Sequence, residues 1–154
     1  MAIYIQIPNV AGDSTTVGFA GQFLGGSLIW GGEKVAVGGT TSNLKTTFSD
    51  VIVSKRSTMN SPSLMLLMAT RTKISAVVIT VTKLVSSRER PVHVYTLSNA
   101  IITSYLQSAY NAYPTEDMTL VFSRFTYQQV FYDSAGISTG DETHFWDIAT
   151  NSGF

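Results

Sequence analysis

Cysteine is absent from this 154-residue chain, which excludes disulfides, thiolate metal sites and thiol chemistry together. The absence leaves the compartment open, because a protein exported already folded can also lack cysteine. Charge is scarce: 13% of residues are Asp, Glu, Lys or Arg, against about 25% in an ordinary soluble domain. Histidine occurs only at positions 93 and 144. The start, from Met1 to Ile7, has no basic region leading into a long apolar run, so it does not read as a secretory signal. Two long charge-free stretches exist, but neither is apolar enough to span a bilayer. Residues 14–32 hold six glycines, and residues 91–115 include His93, Asn99, Gln107 and Asn111.

Small hydroxyls take the place of charge, with 18 serines and 19 threonines. Interface cores are depleted of Lys, Glu and Asp, so such a surface suits coverage by copies of the same chain. It equally suits a Thr-rich β-domain, since Thr favours exposed strand faces. The net charge is zero, yet nine of ten basic residues lie between Lys34 and Arg90, and six of ten acids between Glu116 and Asp147. A nucleic-acid binder would show net basic charge and a clustered footprint, so that class is set aside. The split suits a head-to-tail contact between unlike faces, or two segments paired within one subunit.

The dominant hydrophobic period is two. Ile3, Ile5 and Ile7 alternate with Tyr4 and Gln6 before Pro8-Asn9 ends the strand. Residues 19–30 read as extended and bent at Gly25-Gly26, and glycines 31, 32, 38 and 39 frame a polar loop to about Leu44. Further strands are expected over 46–55, 74–84, 92–107, 118–132 and 143–148. In 74–84, Val77, Ile79 and Val81 share one face while Thr80 and Thr82 take the other. In 118–132, Leu120 and Phe122 have one parity and Phe125 and Tyr127 the other, which predicts either a bulge near Ser123-Arg124 or burial of both faces. One helix interrupts the pattern. Ser61 suits the N-cap, Pro62 the first helical position, and residues 64–69 are good helix formers, with Arg71 and Lys73 favourable at the negative end of the dipole. The expectation is a single domain over 1–154: all-β, a compact barrel or sandwich of two sheets, with seven or eight strands and one short flanking helix at about 62–71.

The residues offer little for catalysis. His93 sits between Val92 and Val94 in a strand and reads as a sheet residue rather than a base. His144 beside Asp141 and Glu142 lacks a second imidazole and matches no zinc spacing. There is no Gly-x-Ser-x-Gly elbow and no phosphate-binding glycine motif. Glu116-Asp117 reads as a solvated turn before a strand. Trp30 and Trp146 are assigned to core or interface packing. The reading is therefore no enzyme, no metal and no cofactor.

In order along the chain, five segments resemble the Hcp (haemolysin-coregulated protein) family of type VI secretion. The opening strand runs through Gly12-Asp13-Ser14, like the family's Gly-Glu-Ser-like turn. Ser27-Leu28-Ile29-Trp30-Gly31 is similar to a Ser/aromatic/Gly segment before a long Gly-rich loop. The strand from Phe48 to Val53 leads to Ser61-Pro62-Ser63-Leu64-Met65, like the Ser/Thr-Pro-x-Leu start of the family's single helix. Thr96 to Ser104 is similar to a Thr-Leu-x-x-Val strand ending in Ser. Last, Leu120 to Phe125 is similar to the family's Leu-x-Phe-x-Lys/Gln-hydrophobic run, and the terminal Phe145-Trp146-Asp147-Ile148 to its Trp-Asn/Asp-hydrophobic end. The chain departs from the pattern in a shorter Gly-rich loop and in the absence of a Lys-Ala-Gly turn at 85–90. It thus resembles a divergent member, or a relative such as a phage tail-tube protein.

The resemblance implies a barrel that forms six-membered rings stacked into the tube of a contractile apparatus. Its implied partners are further copies of itself, a sheath, a spike at the tip and secreted effectors in the lumen, with no nucleic acid and no membrane. The tube would assemble in the bacterial cytoplasm and leave it without a signal peptide. In the family a loop reaches to a neighbour; the corresponding residues here are Val35, Gly38, Gly39, Thr40, Thr41, Asn43 and Leu44. Reversing Lys34 and Lys45 to Glu is expected to weaken stacking while leaving subunits folded. The alternatives are a monomeric β-barrel binding a ligand or carbohydrate, and an enzyme whose turnover depends on His93 or His144.

Overall fold

The computed structural model describes residues 1–39, 41, 44–110 and 113–154. Six of its strands close into an antiparallel barrel: β1 (Ala2–Gln6), β2 (Phe23–Ile29), β5 (Val51–Arg56), β6 (Ile74–Val85), β7 (Arg88–Tyr110) and β8 (Tyr113–Val121). Their order is β7-β6-β1-β2-β5-β8, and β8 pairs again with β7 to complete the ring. The sequence alternation is what fills it. Ile3, Ile5, Phe23, Val51, Val53, Val77, Ile79, Leu97, Met118 and Leu120 all point inward and are buried, because successive strand residues face opposite sides.

Part of the outer surface is covered as well. Tyr4 points outward from β1 yet is buried, because the chain after β1 folds back and stacks Phe19 on it with ring centroids 4.3 Å apart. Gly12 permits this return: a Cβ there would lie 2.3 Å from the backbone carbon of Gln22. The bend expected at Gly25-Gly26 is present as a register shift between Gly25 and Ser27, where β2 meets β5.

β7 is long because it serves both the barrel and a wing strand beside it. Residues 93–98 pair with β9 (Arg124–Tyr132), and residues 101–110 pair with β8. Asn99 sits at the changeover with φ 51° and donates from Nδ2 to Ser123 Oγ at 3.0 Å. The run 118–132 is interrupted at Phe122-Ser123, between β8 and β9, so Met118 and Leu120 on one side and Phe125 on the other all reach the core. β10 (Ser138–Asp147) pairs with β9, and β11 (Ser152–Gly153) with the end of β10, forming a wing outside the barrel.

Several expectations need correction. The run 46–55 is two strands, divided at Ser49-Asp50. The polar loop expected up to Leu44 is instead a hairpin of β3 (Gly32–Ala36) and β4 (Leu44–Phe48), a separate two-stranded sheet. The helix α1 spans Ser61–Ala69, and its N-cap is Asn60 without a side-chain cap bond. Ser61 Oγ instead accepts from the backbone N–H of Thr58 at 2.9 Å, and Asn60 Nδ2 donates to the carbonyl of Ala11. Arg71 lies beyond the last turn, where φ of 53° ends the helix.

α1 docks through Leu64, which is fully buried. β5 runs directly from the hairpin to the chain leading into α1, so hairpin and helix lie at opposite ends of the barrel. Among the described residues no helix is long and apolar enough to cross a membrane.

Candidate assembly surface

Each end of the barrel is fixed by a different chemistry. At the helix end, Lys55 on β5 and Glu116 on β8 are register partners, both pointing into the barrel and both buried. Lys55 Nζ contacts Glu116 Oε2, as does Tyr105 Oη. Ser57 Oγ and Gln107 Nε2 donate to Oε1 at 2.9 and 3.0 Å. Lys55 also reaches Ser61 Oγ at 3.4 Å and sits 5.0 Å from the Phe23 ring centroid. Burial raises the Glu116 pKa, but the hydrogen bonds from Lys55, Tyr105 and Gln107 outweigh it and hold the carboxyl at about 2. Burial and the bond to Glu116 push the Tyr105 hydroxyl well up. Glu116 is therefore no solvated turn residue, although its neighbour Asp117 is exposed.

At the other end the barrel is closed by aromatic rings. Trp30 and Phe48 flank the hairpin, one just before β3 and one at the end of β4. Trp30 packs edge-on against Tyr95 and Phe125 at 5.5 and 4.9 Å, and Phe48 meets Phe125 at 4.8 Å and Trp146 at 6.1 Å. Tyr95 stacks on Tyr127 at 4.8 Å, and burial together with that neighbour pushes its hydroxyl up to about 12. His93 belongs to this group: its Nδ1 lies 2.8 Å from Tyr127 Oη. Both tryptophans thus anchor the root of the hairpin.

The hairpin itself stands off the barrel. β3 is exposed throughout, and Val35, Val37 and Leu44 are 46%, 47% and 44% exposed. Among the described residues β3 and β4 form ladder bonds only with each other. An isolated two-stranded hairpin is at best marginally stable in water, so this element has reason to meet another surface. The residues expected to carry assembly fall here. Val35 pairs with Lys45, Leu44 opens β4 opposite Ala36, Gly38 and Gly39 form the turn at φ 71° and 73°, and Thr41 is exposed. Thr40 and Asn43 lie outside the described residues.

The uneven charge is only partly resolved within the subunit. Lys55–Glu116 joins the basic and acidic segments, but among the described residues no acid pairs with Lys34 or Lys45. The acids of β10 do not converge on a metal. Glu142 Oε1 lies 2.9 Å from His144 Nε2, whereas Asp141 bonds to Gln128 and Thr143 on the opposite face of the strand.

A family model described as "Type VI secretion system effector, Hcp" matches residues 4–129. A solved structure of a type six secretion system protein superposes with a TM-score of 0.88 at 19% identity, covering 99% of each chain. Hcp1 from Salmonella typhimurium follows at 0.82 and 18%, covering 99% of this chain and 98% of that one. A type VI secretion system effector from Yersinia pestis gives 0.76 and 16%, covering 94% and 98%. No curated protein matches the sequence significantly. At these identities the structural likeness is one of fold.

Proposed function

The chain belongs to the Hcp family of type VI secretion system proteins, and from that premise we propose that it is the structural subunit of a six-membered ring that stacks into the inner tube of a contractile injection apparatus. The observation that carries this reading is the β3–β4 hairpin, which exposes apolar side chains and, among the described residues, forms ladder bonds with no other strand of its own subunit. A filled barrel supports it too. Ile5, Phe23, Val53, Val77 and Ile79 are fully buried in the interior, as befits a rigid block rather than a container for a small ligand.

Heterologous contacts that close make a ring, and those that do not close make a filament. A subunit with a hairpin at one end and a helix at the other has the unlike faces that both require. In this proposal the sheath surrounds the tube, a spike caps it and effectors occupy its lumen. Contraction of the sheath drives the tube, its spike and its effectors out of the cell, and the subunit performs no catalysis.

Size exclusion with light scattering on the untagged protein, followed by negative stain of the same peak, tests the proposal. A mass near six subunits with ring-shaped particles is expected. A monomer persisting across a wide concentration range would overturn the ring and favour a monomeric binding module.

A further inference from the structure

Resting on the tube reading above, we propose that the free edge of β4 in one copy adds, strand to strand, to the open edge of β10 in a second copy, guided by Lys34 and Lys45 on the hairpin and Asp141 and Glu142 on the receiving strand. The receiving edge lies on the wing outside the closed barrel. β10 pairs with β9 along one side, while on the other, among the described residues, β11 and Phe154 cover Phe145, Trp146 and Asp147. Ser138 to His144 face no second strand among the described residues, and all seven are exposed. A row of unpaired backbone donors and acceptors is a template for another strand, and this stretch carries no proline to block one.

Charge selects the occupant. Asp141 and Glu142 are adjacent on β10 and so face opposite sides of the sheet, as their separate partners show. On the hairpin, Lys34 pairs with Thr46 and Lys45 with Val35, so the two lysines also face opposite sides. Addition in the plane of the sheet puts Lys45 next to an acid on one face and Lys34, one strand further off, on the same face as the other acid. β4 is the better donor strand, because Lys45 is its only charge whereas β3 also carries Glu33. Apolar groups accompany the charges: Val35 and Leu44 on the hairpin, and Phe131 and Ile137, 48% and 65% exposed, beside the start of β10. The hairpin cannot use its own β10 in this way. Phe48 roots it against Trp146, where β11 already occupies the edge.

Four proteins measured side by side by light scattering and negative stain test the pairing: wild type, Lys34→Glu/Lys45→Glu, Asp141→Lys/Glu142→Lys, and the variant combining all four changes. Every altered position is exposed, so thermal melts are expected to coincide. Each double reversal should raise the concentration for half-assembly at least tenfold, and the combined variant should return to within about threefold of wild type. Lys45→Glu alone should weaken assembly more than Lys34→Glu alone. Amide exchange on assembled wild type, which does not depend on any variant folding, should protect residues 44–48 and 138–144 relative to dissociated protein. Rings unaffected by the reversals, a combined variant no better than its parents, or unprotected edges in assembled protein would each overturn the pairing and leave the ring intact. A wild type that never assembles would overturn both.

Discussion

Glu116 and Lys55 place an ion pair inside a barrel whose other interior residues are almost all apolar, and this sets the acid behaviour of the subunit. The folded carboxyl titrates at about 2 and the unfolded one near 4.5, so the unfolded chain takes up the proton first. The pair's contribution is complete above the unfolded value and is lost as pH falls from about 4.5 towards 2, amounting to about 3 kcal/mol. Urea unfolding at pH 7, 4 and 3 should follow that loss. Glu116→Gln should flatten the pH dependence in this window and leave Lys55 buried beside a neutral amide, destabilising the fold by about 3 kcal/mol at pH 7. A variant as stable as wild type would show that the ion pair adds no net stability. None of this was visible as a motif, because the partners are 61 residues apart and Glu116-Asp117 looks like any acidic turn. Strand alternation then sends one of the two acids inward and the other to solvent.

At the level of the element, the hairpin and the helix diverge most from local expectation. Glycine and threonine marked residues 31–44 as a loop, and both turn glycines do adopt positive φ. Yet β3 and β4 form a five-pair ladder, and what holds it upright is the ring cluster at its root. Phe48→Ala removes the contacts to Trp30, Phe125 and Trp146. We expect a loss of about 2 kcal/mol in stability and a larger proportional loss of assembly, since an unrooted hairpin has no fixed direction. Equal assembly by wild type and Phe48→Ala would refute the anchoring role. The helix begins one residue before the position its Ser-Pro signal implies, for a related reason. Ser61 has the right side chain for a cap, but Lys55 and the Thr58 amide claim its hydroxyl, leaving Asn60 at the cap and tied to Ala11.

Taken as a whole, the molecule is a closed barrel that leaves strand edges unpaired among the described residues, the hairpin and the outer edge of β10 among them. Replacing residues 33–47 by a short Gly-Ser link should give a folded subunit that runs as a monomer by light scattering. Retained rings in that variant would move the assembly function elsewhere on the barrel. Contacts between exposed charges are screened by salt, so wild-type assembly should weaken as ionic strength rises from about 50 mM to 500 mM. The combined charge-swap variant should share that sensitivity.

Fold class, the position of the single helix and most strand interiors were determined by sequence alone, because alternation, glycine placement and a Ser-Pro start are local signals. The order of short strands and that helix was also enough to suggest the family. Tertiary structure decided the rest. Thr80 and Thr82 share the polar face of β6, yet both are buried, and on the adjoining strand Tyr4 is covered by a returning segment. Lys55 and Glu116 became core residues because the barrel closes β5 against β8. Asp141 and Glu142, neighbours in sequence and poor as a metal site, matter through the free edge on which they lie. Which edges remain open depends on how all the strands pair, and no local stretch of sequence carries that information.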